Sequence, residues 1–330
     1  AAYEQAIALD PNFAPSYLGR ARARLTLEPG AVEVCLQDLE TAATLDPGLG
    51  EVYLEWGALL IAQGEPEGAL AQLDRAAEHI PDSPLTPFYR AQAYLAIGEV
   101  DRAEAEIDAA LRADLTAMPA YLLLARILQA AGRAAASLEP LEVYRLHAAQ
   151  APDAAVLALL GAAYAAHERI GDALTAYSES LTLDGRQFDV YFARGHLYLE
   201  SGDPAGALND FNQALRLEPG SFAAQIGKAR AELLAEEYGL AYQTLNRAEA
   251  SAAGDRELAE VLFWRAQSLT PNNPPAAVQE WNNLLDLPAE SVPDDYRRTA
   301  VEQIAALATP TPSRTPAPAA GNPTPRPTRR

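Results

Sequence analysis

The segment VYFARGHLYLESGDPAGALNDFNQALRLEP (residues 190–219) decides the fold of this chain. In each half, aromatic and small residues recur at spacings of three and four, which places them on one face of an α-helix. These residues are Tyr191, Gly195 and Tyr198, and then Ala207, Phe211 and Ala214. Residues 201–204 (SGDP) favour a turn between the halves, and Pro219 ends the second helix because it has no amide hydrogen to donate. The segment therefore predicts a hairpin of two short helices.

The same unit recurs eight times along the chain, after an incomplete copy in residues 1–11. The middle of each first helix carries a small residue: Ala21, Gly57, Ala91, Ala125, Gly161, Gly195, Ala229 and Ala266. A second one opens the second helix: Cys35, Ala69, Ala103, Ser137, Ala173, Ala207, Ala241 and Ala277. Four positions later comes a large apolar residue: Leu39, Leu73, Ile107, Leu141, Tyr177, Phe211, Leu245 and Trp281. Small residues let two helices approach closely, where a leucine would overpack the contact by roughly 1–3 kcal/mol.

The 34-residue period and this order of small and large residues resemble the tetratricopeptide repeat over residues 1–288. The resemblance implies an all-α fold, a right-handed superhelical solenoid of antiparallel helix pairs. Within a solenoid of residues 1–308 we predict a partial repeat (1–11), eight repeats (14–288) and a capping helix (294–308). Residues 309–330 contain seven Pro and no large apolar residue. They cannot bury a core, so we predict a disordered tail.

Three units depart from the pattern. Unit one separates Ala21 from Cys35 by 14 rather than 12 positions, which predicts a longer turn. Unit four has Tyr144 where the family has Ala, and unit eight combines a Pro-rich turn with Leu284 at a small position. We expect the array to bend at these units, with unit eight the least regular.

The charge of the chain limits its partners. The net charge is −20, and residues 1–308 alone carry −24 because the last 22 residues hold four Arg and no acid. Such a field repels nucleic acid and anionic membranes. No apolar run approaches the ~20 residues that span a bilayer. We therefore predict a protein or peptide partner, with no nucleic acid and no membrane insertion in this segment.

A charge pair recurs within the units. Before the small residue of the first helix, five units carry a base, and in four of them an acid precedes the large residue of the second helix. We predict ion pairs that link the two helices: Arg20 with Asp38, Arg90 with Glu106, Arg194 with Asp210, and Arg265 with Glu280. Unit seven has the base, Lys228, but Thr244 in place of the acid.

In the resembled family, residues on either side of the small position face the concave surface. Three residues before it, the row is apolar throughout: Leu18, Leu54, Phe88, Leu122, Ala158, Phe192, Ile226 and Phe263. One residue after it lies a second row, in which most side chains can form hydrogen bonds: Arg22, Ala58, Gln92, Arg126, Ala162, His196, Arg230 and Gln267. Such rows suit a peptide with apolar anchors, whose carboxylates or carbonyls the Arg residues would bind. The alternative is that the apolar row packs against the next unit and the Arg residues are solvated.

The sequence offers little for catalysis. The four histidines fall in different units without the spacing of a metal pair, and no phosphate loop, serine elbow or cysteine motif occurs. His196, with Glu200 one turn on, is the single plausible acid–base pair. Cys35 sits at a small position and is predicted to be buried. We predict no cofactor, no metal and no enzyme. The apolar first row also argues against the chaperone-carboxylate binding of some relatives.

The predicted function is a non-catalytic scaffold that holds a peptide or partner protein in the groove. An alternative is the repeat region of a larger bacterial protein, an envelope-anchored assembly factor or a multidomain enzyme, because the chain begins at Ala1 inside a helix. A single lysine among 25 basic residues suggests GC-rich bacterial coding. The Pro/Thr-rich end is similar to spacers of secreted or envelope proteins, although a cytoplasmic linker would have the same composition.

Overall fold

The computed structural model describes residues 2–28 and 30–308, and this part of the chain contains α-helices and no strand. The chain divides into two compact units, Ala1–Leu197 and Tyr198–Arg330. Helices of the first unit are α1 (Ala2–Leu9), α2 (Ala14–Leu27), α3 (Val32–Leu45), α4 (Gly50–Gln63), α5 (Pro66–His79), α6 (Leu85–Ala96), α7 (Val100–Ala113), α8 (Met118–Ala130), α9 (Leu138–His147), α10 (Ala154–Ala166), α11 (Ile170–Leu183) and most of α12 (Phe188–Glu200). Those of the second are α13 (Pro204–Leu217), α14 (Phe222–Leu234), α15 (Tyr238–Glu249), α16 (Asp255–Leu269), α17 (Pro274–Leu285) and α18 (Asp294–Ala308). The predicted all-α fold is confirmed. The predicted tail, residues 309–330, lies outside the described residues.

The small positions of the repeat are close contacts between the helices of one hairpin. A Cβ added to Gly57 of α4 would lie 2.6 Å from Leu73 Cγ and 3.3 Å from the carbonyl oxygen of Ala69, both on α5. The thiol of Cys35 lies 3.6 Å from the carbonyl oxygen of Ala21, and Cys35 is fully buried as predicted. The large residue of the second helix therefore fills the space that the small residue of the first leaves, so both are needed.

Short turns reverse the chain between the paired helices. Gly64, with a φ of 79°, ends α4 in the left-handed conformation that glycine adopts at little cost. At the start of α13, the Asp203 side chain accepts a hydrogen bond from the amide of Gly206, which satisfies an amide that has no partner inside the helix. In unit one, α2 ends at Leu27 and α3 begins at Val32, a longer connection than in units two, three, five, six and seven, as the sequence predicts.

Unit four has an unusual second helix. It begins as a 3₁₀ turn, Ala134–Ser137, and becomes α-helical as α9 from Leu138. Pro140 accounts for this start. Proline fits the first turn of an α-helix, because an amide hydrogen there would have no acceptor within the helix. Gln129 of α8 donates from Nε2 to Ser137 Oγ at 3.1 Å and to the carbonyl of Leu159 on α10 at 2.9 Å. One side chain thus links three consecutive elements.

The last hairpin and α18 share one apolar core in the second unit. Trp281 is fully buried, and the Phe263 ring packs edge-on against it at 5.4 Å between centroids. Tyr296 of α18 stacks on Phe263 at 3.9 Å, and Ala300 is buried in the same cluster. Leu284, at a position where the family has a small residue, is also fully buried there.

Three of the four predicted ion pairs are confirmed. The nitrogen–oxygen distances are 2.5 Å for Arg20–Asp38, 3.2 Å for Arg90–Glu106 and 3.0 Å for Arg265–Glu280. Arg90 and Arg265 each reach a second acid on the preceding second helix, Asp74 at 3.4 Å and Glu249 at 2.5 Å. The base therefore ties its own hairpin to the one before it. The pair of Arg194 with Asp210 stays a prediction.

Candidate binding groove

First helices of successive hairpins are neighbours in the first unit: α4 contacts α6, α6 contacts α8, and α8 contacts α10. The two predicted rows of groove residues lie on these helices. Side chains that stand beside each other on neighbouring helices can contact a single ligand that crosses them. The exposure of each predicted residue decides whether it is available for that contact.

Four members of the apolar row are buried and are not available to a partner. Leu18 is 5% exposed, Leu54 6%, Ile226 4% and Phe263 8%. Leu18 packs with Val52 of the next hairpin, and Phe263 is covered by Tyr296. The expectation that the whole row faces a groove is corrected at these positions, where the alternative of packing against the next unit holds. Phe88, Leu122 and Phe192 are half-buried.

The polar row is also divided. Arg22 forms an ion pair with Glu55 of the following first helix at 2.7 Å, and the guanidinium of Arg230 lies 5.3 Å from the centre of the Trp264 ring. Gln92 and His196 are half-buried, whereas Arg126 is exposed. No described residue forms an ion pair with Arg126. Within the row, Arg126 is therefore the cation most available to a ligand.

An open groove of about 490 Å³ runs across α8, α10 and the start of α12 in the first unit. Its lining residues are Arg126, Ala155, Ala158, Leu159, Arg186, Gln187, Phe188, Asp189 and Val190. Ala158 holds the position that Leu or Phe occupies in most other units. The groove exists because this small side chain, with Ala155 beside it, leaves space between the longer side chains of the flanking helices.

The wall formed by α12 is held in place by local contacts. Gln187 donates from Nε2 to Ser180 Oγ and to the carbonyl of Asp184, both at 2.9 Å. The amide of Arg186 donates to Asp184 Oδ1 at 2.9 Å. Phe188 stacks on Phe192 with 5.8 Å between ring centres. These contacts order the wall without a ligand, so a ligand would not have to supply the free energy of ordering it.

The structure brings together some predicted residues and adds others. Arg126 and Ala158 line the groove, and Phe192 supports it through Phe188. Sequence reasoning missed Arg186 and Asp189, because it considered only repeat positions within helices. The stretch DGRQFD (residues 184–189) could have indicated them. It has no Pro to end α11 and instead places charged residues around an aromatic one. Phe88 lines a separate apolar pocket of about 230 Å³ beside Tyr89 and Pro119.

His79, His167 and Cys35 make contacts typical of structural residues. His167 Nε2 lies 2.9 Å from the carbonyl oxygen of Ala135, and His79 stacks on Tyr53 with ring centres 5.9 Å apart. Burial raises the pKa of the Cys35 thiol, which disfavours the thiolate that a nucleophile requires. In the described ranges, His, Cys, Asp and Glu side chains form no group of three that could hold a metal ion. Among the helices described, none has the length and apolar character needed to cross a membrane.

The fold defines the class of the protein: an all-α array of helical hairpins. Residues 60–121 and 198–267 match the family model of the tetratricopeptide repeat, and these two stretches contain tetratricopeptide repeats. Members of this family are generally non-catalytic scaffolds for protein or peptide partners.

Solved structures share the all-α fold of the chain. The C-terminal part of a TPR repeat-containing protein from Cytophaga hutchinsonii is similar with a TM-score of 0.56 and 17% identity, covering 76% of this chain and 99% of that one. The Cut9–Hcn1 hetero-tetramer of APC/C is similar with a TM-score of 0.54 and 18% identity, covering 84% of this chain and 53% of that one. No curated protein sequence matches the chain.

Proposed function

We propose that the protein is a non-catalytic scaffold, and that its first unit binds an extended peptide segment of a partner protein in the groove across α8, α10 and α12. The observation that carries the proposal is the open groove of about 490 Å³ itself, which combines an apolar floor with charged walls. Binding in such a site buries apolar side chains of the ligand and fixes its orientation through a few polar contacts.

The lining residues indicate which peptide would fit. Ala155, Ala158, Leu159 and Phe188 form the apolar part and would accept one apolar side chain. Arg126 and Arg186 border the same space and would bind an adjacent carboxylate, since guanidinium groups pair with carboxylates in a bidentate geometry. Asp189 would repel a second acid placed on its side. The groove therefore favours a peptide with an apolar residue next to a single acidic one.

The decisive test fills the groove with a larger side chain. Peptides selected from a random library on the full chain would be measured against an Ala158→Trp variant by fluorescence anisotropy. We expect the dissociation constant to rise at least about tenfold, because the indole would occupy the space of the apolar anchor. The matched control is Ala105→Trp, on the exposed side of α7. Equal affinity of the selected peptides for both variants would show that the groove is not the binding site.

A charge reversal tests the second half of the proposal. Arg126→Glu is expected to weaken the selected acidic peptides and to improve their amide-substituted versions. Arg112→Glu makes the same change of charge at an exposed position on α7 and should leave both affinities unaltered. Selected peptides that lack an acid, or that bind Arg126→Glu as well as wild type, would contradict the assignment of Arg126.

A further inference from the structure

The second unit contains a positively charged pocket in a strongly acidic chain. A pocket of about 310 Å³ opens between α13, α14 and α15. The residues that line it are Asn212, Leu215, Arg216, Pro219, Gln225, Lys228, Thr244 and Arg247. Three of them are cations and none is an acid, although the net charge of the chain is −20.

The pocket lies where other hairpins carry their ion pair. In units one, three and eight, an arginine before the small residue of the first helix pairs with an acid on the second helix. In unit seven the corresponding residues are Lys228 and Thr244. The shorter lysine and the missing carboxylate leave open space at this position, together with a cation that has lost its cross-hairpin partner.

One nearby acid does not neutralise the site. Glu232 Oε1 lies 3.8 Å from Lys228 Nζ, one turn along the same helix, and its side chain is only 5% exposed. Burial raises the pKa of Glu232, an effect that Thr244 and Lys228 oppose. Arg216 bonds only to the uncharged Gln213 side chain, and Arg247 has no ion pair with any described residue. Three cations against one acid leave a local excess of two positive charges.

Buried polar groups line the same pocket. Gln225 is 9% exposed, and no described residue donates a hydrogen bond to its Oε1. A buried acceptor without a donor costs about 1–3 kcal/mol. A ligand that presents an O–H group as well as negatively charged oxygens would satisfy both Gln225 and the cations. A carboxylate has no such donor, whereas hydrogen phosphate keeps one.

We propose that this pocket binds a phosphate group, with Arg216, Lys228 and Arg247 as its cationic donors. A phosphate carries about −1.5 to −2 charges at neutral pH and three strong acceptor oxygens, which matches the number of cations and the local charge excess. The phosphate could be free or part of a phosphate monoester. Both present three charged oxygens to the cations, whereas only the free ion keeps an O–H group for Gln225 once the monoester is fully ionised. The inference does not depend on the peptide groove, which belongs to the first unit.

The sole lysine of the chain provides a direct probe. With ¹³C-labelled lysine, the full chain gives a single lysine Cε signal, that of Lys228. Inorganic phosphate, methyl phosphate and acetate would be titrated separately at constant ionic strength. We expect a saturable shift with phosphate, and acetate binding at least about tenfold more weakly, since it offers fewer charged hydrogen bonds. Saturation with methyl phosphate at lower concentration would identify a monoester as the ligand, and the reverse order would identify the free ion.

Two variants complete the test by calorimetry. Arg247→Gln removes one cation from the pocket, and Thr244→Asp restores the acid found in other units. Each is expected to raise the dissociation constant of phosphate at least about tenfold, while Arg256→Gln, at an exposed position of α16, leaves it unchanged. Far-ultraviolet circular dichroism would show that the variants are folded. A non-saturable lysine shift, an equal shift with chloride, or undiminished binding by Thr244→Asp would overturn the proposal.

Discussion

The hairpins α2–α3 and α14–α15 occupy equivalent places in the repeat, but their polar interiors differ. In the first, Arg20 donates from Nε and Nη2 to both carboxylate oxygens of Asp38 at 2.9 and 2.5 Å, and Arg24 adds a bond of 2.7 Å. In the other, Lys228 has only Glu232 at 3.8 Å, on its own helix. The apolar positions are the same, since Leu39 and Leu245 are both fully buried.

This difference separates what the repeat requires from what it tolerates. The small and large apolar positions hold the two helices together in both hairpins. The ion pair is an addition, because α14–α15 packs without it. Where lysine replaces the arginine and threonine replaces the acid, an open, charged pocket takes the place of the structural link. The following predictions test this view in order of decreasing effect.

The apolar core should matter equally in both hairpins. Leu39→Ala and Leu245→Ala each remove a fully buried side chain and are expected to lower the free energy of unfolding by about 2–5 kcal/mol. Urea unfolding monitored by circular dichroism measures the loss, and hydrogen exchange locates it in the mutated hairpin. A cost below about 1 kcal/mol for Leu245→Ala alone would mean that α14–α15 is not held by the same core.

Exchanging the polar residues should have a large effect in α2–α3 and a small one in α14–α15. Asp38→Thr leaves Arg20 and Arg24 without their carboxylate and is expected to cost about 1.5–3 kcal/mol, the value of hydrogen bonds to charged groups. Thr244→Asp should change stability by less than about 1 kcal/mol, because its new pair with Lys228 is offset by the neighbouring Glu232. The melting temperatures of both variants measure this. Equal losses in the two variants would contradict the view that the ion pair stabilises only α2–α3.

Replacing the first arginine tests the geometry of its ion pair. Arg20→Lys keeps the charge but cannot make the two parallel bonds to Asp38, so we expect a loss of about 1 kcal/mol. The control is Lys228→Arg, which places the longer side chain beside Thr244 and should not destabilise the hairpin. If Arg20→Lys unfolds at the wild-type urea concentration, the charge alone accounts for the link.

The smallest effect is a pH dependence of the stability of α14–α15. Because the folded pKa of Glu232 is raised by burial, the folded state holds this proton more tightly than the unfolded state. Stability is then fully present below the ordinary glutamate pKa and falls as the pH rises towards the folded pKa. Glu232→Gln should flatten this decline and raise the melting temperature at neutral pH. Parallel pH profiles of wild type and variant would contradict this.

Repeat positions carried much of the prediction. The sixteen small and eight large positions fix which helix faces meet within a hairpin, so the buried state of Cys35 and the three ion pairs could be predicted without a structure. Pro140 also carried information, since a proline cannot lie deep in a helix. Its consequence, the 3₁₀ turn that precedes α9, was not predicted.

The candidate groove could be predicted only in part. Leu18 and Phe88 hold the same repeat position, yet Leu18 is buried and Phe88 is not. The difference arises because exposure depends on the residues that the neighbouring hairpin and α18 place against each side chain. Arg186 and Asp189 lie at a helix start outside the repeat positions, where periodicity carries no information.

By itself, the sequence determined the hairpins, their order, their faces and the family of this protein, because helix periodicity and breaker residues act over one or two turns of chain. Only the tertiary structure decided which side chains are left for a ligand. Ala158 opens a groove because of the helices that flank it, and the pocket beside Thr244 is cationic because Arg216 of α13, Lys228 of α14 and Arg247 of α15 line it together. Both sites depend on distances between separate helices, which no local pattern specifies.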